Sequence, residues 1–227
     1  EHDIKIVRVS ETGDISFVVY GYMNSDEHEG MAGSAVYHYN AERNVMQEEL
    51  FIPSSSSYQS LKQNLSVLSY VSTQDQLYMY MEGNLYQVDL ASGSYKILKD
   101  QISSDCFVIS RSQASVAWMD EMDENHSSHI TAMSLESGET LRVSAPEGQK
   151  IKALGFINED LIYGMANDAD IQNDAAGNVI FAMNKLNIQN FNGTVIKDYQ
   201  QDGIYVTEVN IQEGLLAVSY RHLRAHE

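Results

Sequence analysis

Apolar and polar residues alternate along short runs of this chain, and four such runs end on a turn residue able to take a positive φ. The runs are Val36–Tyr39 before Asn44, Leu85–Leu90 before Gly93, Ile130–Leu135 before Gly138, and Met183–Ile188 before Gly193. A period of two places one face of a strand in a core, and a polar turn closing on a left-handed residue joins two antiparallel strands with a bulge. A second aromatic and β-branched run precedes each hairpin: Phe17–Tyr22, Leu77–Met81, Val116–Met119 and Leu161–Tyr163. Further strands are expected at Val67–Val71, Cys106–Ile109, Ala153–Ile157 and Ile204–Val209. Ser57–Leu65, set among serines, reads as a loop or a helix of one to three turns. The two prolines fit strands paired on both sides, with Pro53 ending one.

The hairpins repeat. Leu85–Leu98 aligns without a gap on Ile130–Val143 at an offset of 45 residues, and the turn residues 44, 93, 138 and 193 lie 49, 45 and 55 residues apart. Such spacing matches the roughly 40–50 residues of a four-stranded propeller blade. The expectation is an all-β fold, a β-propeller or partial propeller of about four to five antiparallel blades. It is expected to form one domain over residues 1–227, within a longer chain. The terminal runs Ile4–Val9 and Leu215–Tyr220 either pair to close a ring or leave an open segment.

Charge narrows the partners. Against 14 Lys and Arg stand 32 Asp and Glu, a net charge of −18 with no basic cluster. Such a surface repels nucleic acid and anionic membranes, and favours a cationic protein or peptide. No run approaches the roughly 18 apolar residues of a membrane span. The single cysteine, Cys106, lies in an apolar run and reads as a core residue.

Three polar excursions follow the second strand of their repeats, and they carry the candidate chemistry. Residues 120–129 combine Asp120, Asp123, His126 and His129, donor types that suit zinc without its helical His-Glu-x-x-His spacing. Residues 167–177 bring Asp168, Asp170 and Asp174, oxygen ligands that suit calcium. They depart from an EF-hand loop, because Gly177 falls at its tenth position and no glutamate stands at its twelfth. The alternative is a plain hairpin turning at Ala175–Asn178. Residues 24–30 add Asp26 and His28. Equivalent blade loops emerge on one face, so Asp26, His28, Asp123, His126, Asp168 and Asp170 are expected to converge as a binding surface, with calcium or zinc as the cofactors that suit the loops and neither required. No nucleophile elbow, phosphate-binding loop or dinucleotide fingerprint occurs.

The segments GNLYQVDLASG (Gly83–Gly93) and MSLESGET (Met133–Thr140) resemble blades of TolB-like and related bacterial β-propellers over roughly residues 15–220. GYMN (Gly21–Asn24) and FINEDLIYG (Phe156–Gly164) are similar to surface-anchored propeller proteins of Gram-positive gut bacteria. This resemblance implies an extracytoplasmic domain, anchored through sequence outside these residues, and it supplies no catalytic residues. The resulting expectation is a noncatalytic module that recognises a protein, peptide or envelope component through acidic loops. Its rivals are a metal-dependent hydrolase or lyase, with an ion held by the 120–129 and 168–174 loops, and a structural spacer of a larger receptor.

Overall fold

All four turn residues singled out by the pattern take the left-handed backbone that a tight hairpin needs: Asn44 at φ 51°, Gly93 at 64°, Gly138 at 76° and Gly193 at 83°. The structure, a computed structural model, describes residues 1–24, 26–121, 123–212 and 215–222. Within the single domain expected over residues 1–227, chain packing separates two units, Glu1–Gln101 and Ile102–Glu227.

The first unit holds two antiparallel sheets of four strands. One runs β1 (His2–Val9), β2 (Ile15–Tyr22), β3 (Ala32–Asn40), β4 (Val45–Pro53), each strand paired with the next. A helix, α1 (Tyr58–Val67), then leads to β5 (Ser69–Val71), β6 (Gln76–Met81), β7 (Asn84–Asp89) and β8 (Ser94–Lys99), again paired in order. Helix α1 is the longer of the two sequence readings. Ser57 caps it by accepting the Ser60 amide at 3.2 Å, and Leu61 and Leu65, one turn apart, are fully buried. The strand expected from Val67 therefore starts later, because Val67 still closes the helix. The core of this unit joins Val18, Val36 and Ile52 of the first sheet to Leu77, Met79 and Val88 of the second, with Leu61 and Leu65 among them. Burying each of those leucines stabilises the fold by about 1.5–3 kcal/mol.

In the second unit the pattern recurs as β9 (Phe107–Ile109), β10 (Ser115–Met119), β11 (His129–Ser134) and β12 (Thr140–Ser144). A fourth sheet takes β13 (Gln149–Ile157) and β14 (Asp160–Asn167). The chain then makes an inserted hairpin, β15 (Ile171–Asn173) with β16 (Val179–Phe181), before β17 (Lys185–Gln189) and β18 (Val195–Tyr199) complete the sheet. A two-stranded pair follows, β19 (Ile204–Gln212) with β20 (Leu215–His222). The 55-residue spacing of the last repeat thus has a direct cause: the β15–β16 hairpin is spliced between the second and third strands of its sheet. Cys106 is buried, as its apolar run requires, and burial pushes its thiol up to about 11.

Four sheets of four strands and one terminal pair realise the four to five antiparallel units expected from the repeat. No described helix is long and apolar enough to cross a membrane.

Candidate functional site

The 120–129 loop leaves β10 and is closed by its own acids. Glu121 accepts the Ser127 hydroxyl and, at 3.0 Å, the Ser128 amide. Burial alone would raise its carboxyl, but these bonds outweigh that and hold it below its ordinary value of 4.5. Asp123 accepts the Asn125 amide at 2.8 Å and stands 2.8 Å from His126 Nδ1; the amide bond leads in holding its carboxyl low. Asp120 is paired with Arg142 at 2.8 Å, and Glu124 with Lys152 at 2.8 Å. Lys152 also donates to Asn125 at 3.2 Å and lies over the Phe181 ring. His129 opens β11, where its carbonyl accepts the Ser127 hydroxyl at 2.9 Å.

Asp168 and Asp170 form a single 3-10 turn after β14, in which Asp170 accepts the Asn167 side-chain amide at 2.7 Å. Asp174 is a turn residue. It accepts the amides of Ala176 and Asn178 at 2.8 and 2.9 Å, so the plain-hairpin alternative describes this segment. The two loops abut the same stretch of chain: Ile151 donates its amide to the Ser127 carbonyl at 2.9 Å, and Asp168 donates to Gly148 at 3.0 Å. They do not assemble one ligand set. Among the described residues no group of three or more His, Cys, Asp or Glu is gathered to hold a metal ion, so Asp120, Asp123, His126, His129, Asp168, Asp170 and Asp174 are described by the partners they have. Arg142, His126, Asn167 and backbone amides already engage Asp120, Asp123, Asp170 and Asp174.

In the first unit, Asp26 and His28 belong to a 3-10 turn after β2, and the Asp26 side chain lies outside the described residues. His28 Nε2 is 2.7 Å from Glu48, whose other oxygen accepts the Tyr37 hydroxyl at 2.7 Å. Its ring is stacked on Phe51 with centroids 3.8 Å apart. His28 therefore docks its loop onto β3 and β4.

A different constellation in this unit belongs to no sequence motif. Between the β1–β2 and β3–β4 sides of the first sheet and the ends of β5 and β7 lies a pocket of about 260 Å³, lined by Arg8, Asp14, Ser16, His38, Glu49 and Asp75 among others. Ser16 and His38 face each other across β2 and β3, with the hydroxyl oxygen 3.3 Å from Nδ1. Asp14 accepts the Ala41 amide at 2.8 Å and the Thr12 hydroxyl at 3.1 Å; the first of these leads in holding its carboxyl below the ordinary value. Arg8 is ion-paired with Asp75. Glu49 lines the pocket and has no hydrogen-bond or ion-pair partner among the described residues. A signal was present in the sequence. Ser16 shares the strand phase of Val18, and His38 that of Val36, so two polar side chains take core-phase positions at one end of the sheet.

No family model and no curated protein matches this chain. Solved structures do. The β-propeller domain of the Trilobed protease from Pyrococcus furiosus is similar over 90% of this chain and 60% of its own, at 11% identity and TM-score 0.41. The tricorn protease matches over 81% of this chain and 17% of its own, at 13% identity and TM-score 0.37. Porphyromonas gingivalis dipeptidyl peptidase 4 matches over 89% and 40%, at 12% identity and TM-score 0.36. The described residues form a predominantly β fold of repeated four-stranded antiparallel sheets. The chain spans less than two thirds of each of those proteins.

Proposed function

We propose that this chain is a noncatalytic, extracytoplasmic binding module that recognises a protein or peptide through a cationic side chain. The observation that carries the reading is the Glu49 carboxylate, unpartnered among the described residues in a concave pocket that also holds Asp14 and Asp75. In a chain of net charge −18, this is an acid whose charge is not already spent on a neighbour. A lysine or arginine entering the pocket meets Glu49 as counter-ion and the serine and Asp14 oxygens as acceptors. Arg8, held by Asp75, leaves the pocket acidic on balance. The anchor at the cell surface belongs to sequence outside these residues in this reading, and no metal ion is required.

The test is calorimetric titration with a capped pentapeptide, acetyl-Gly-Gly-Arg-Gly-Gly-amide, whose only charge is its side chain. Binding is expected to weaken steeply between about 20 mM and 0.5 M salt, and Glu49→Gln to weaken it about tenfold, roughly 1.4 kcal/mol. Replacement of the arginine by norleucine should abolish it. Affinity that is flat with salt, or unchanged in Glu49→Gln, refutes recognition at this pocket.

A further inference from the structure

At the end of β10 remote from the acidic loop, the β9–β10 turn, the β13–β14 turn and the end of β19 enclose a groove of about 480 Å³ in the second unit. One wall is apolar: Phe156, Ile157 and Ile211. Ile211 is seated by a glycine. Gly155 lies at a bulge in β13 with φ +143°, and a Cβ there would come within 2.7 Å of the Ile211 side chain. The groove is therefore shaped by a close approach that a larger residue at 155 would disturb.

The other wall is polar and electrostatically unfinished. Asn158 and Glu159, at φ 48° and 66°, form the two-residue turn that projects Glu159 toward the β9–β10 turn. Ser112 donates its hydroxyl to Glu159 Oε1 at 2.8 Å, while Oε2 is closed off from solvent and receives no hydrogen bond among the described residues. A carboxylate oxygen in that state calls for a donor. Beside it, Arg111 is exposed and its guanidinium makes no ion pair or hydrogen bond among the described residues, whereas Arg142 in the same unit holds Asp120.

We propose that this groove captures the C-terminal end of a peptide whose last residue is apolar. The terminal carboxylate takes the planar fork of Arg111, the last side chain packs on Phe156 and Ile211, and a peptide N–H satisfies the Glu159 carboxylate. Each ligand group answers a feature of the groove: an unpartnered cation, an apolar wall, and a carboxylate oxygen lacking its donor. The site is independent of the Glu49 pocket, for it lies in the other unit and selects the opposite charge.

The experiment is titration of the full chain with the tripeptide Gly-Val-Leu, compared with its C-terminal amide and with Gly-Val-Asp. The free acid of Gly-Val-Leu is expected to bind, and the amide to bind at least about tenfold more weakly, since a charge-assisted bidentate contact is lost. Arg111→Gln should reduce the acid to the level of the amide, and Arg111→Lys should recover part of the loss. Glu159→Gln should weaken the acid without lowering the thermal midpoint of the protein. Equal affinity for acid and amide, wild-type affinity in Arg111→Gln, or no binding of the acid at about 10 mM overturns the proposal, 10 mM being weaker than the roughly −4 kcal/mol of a millimolar contact.

Discussion

The 120–129 loop of the second unit and the Glu49 pocket of the first are both acidic, yet their carboxylates are in opposite states. In the loop, Asp120, Glu121, Asp123 and Glu124 each hold a cation, an imidazole, a hydroxyl or an amide of the same unit. In the pocket, Glu49 holds nothing among the described residues. Density of acidic residues thus marks where a chain needed charge to order itself as readily as where it presents charge to a partner. The useful variable is hydrogen-bond satisfaction, because a carboxylate already bonded must give up those bonds before it can take a ligand.

The contrast can be broken most directly at Glu121. Glu121→Ala removes one of the two acceptors of the Ser127 hydroxyl and leaves the Ser128 amide without its side-chain acceptor in a partly buried loop, and should cost about 1–3 kcal/mol in chemical unfolding. Amides of the 120–129 loop should exchange faster in the same variant, and unchanged stability would show that the loop does not depend on its acid. Next in size is Glu49→Gln, which should lower affinity for the arginine peptide about tenfold while moving stability by less than about 0.5 kcal/mol. Loss of stability on that change would mean that Glu49 serves the fold.

Acid sharpens the comparison further. The Glu121 carboxyl is held below its ordinary 4.5, so its share of stability is complete above that value and is lost as the pH falls through the lower folded value. Denaturation midpoints followed downward from pH 6 should therefore fall less steeply in Glu121→Gln than in the parent, with the two curves converging at the acid end. Identical slopes would assign the acid sensitivity to other carboxylates.

Asp123→Asn should have a smaller effect, below about 1 kcal/mol, because both Asp123 and His126 are exposed and their contact is screened. Smallest of all is the response to metal. Calcium or zinc added to chelator-treated protein must displace Arg142, Lys152 and His126 from the carboxylates, so no stoichiometric binding tighter than about 10 μM is expected by calorimetry, a threshold near 7 kcal/mol. Tight binding would show that the internal ion pairs give way, and would restore the loop as a ligand site.

Turns and strand phases were legible in the sequence because they are local. Asn44, Gly93, Gly138 and Gly193 occupy backbone conformations that few other residues adopt cheaply, and the continuous apolar and aromatic runs Val116–Met119 and Leu77–Met81 mark strands buried on both faces. Helix α1 was legible only in part. Its signals, the Ser57 cap and the Leu61–Leu65 pair, are few, and its stability comes from packing both leucines into a core drawn from two sheets. The inserted hairpin could be counted from the long last repeat, and its Asp174 turn was one of two readings of the same residues.

The repeated hairpins, and with them the all-β class, were determined by the sequence itself, since period-two alternation and left-handed turn residues act over a few neighbours. Which acids are free was decided only by tertiary structure. Arg142 reaches Asp120, Lys152 reaches Glu124, and Ser16 meets His38 across 22 residues of chain, all through strand register and sheet packing. Glu49 stays open because, among the described residues, no cation or donor is brought to it. Charge is written residue by residue; its neutralisation depends on distances of a few ångströms between segments that only the folded chain brings together.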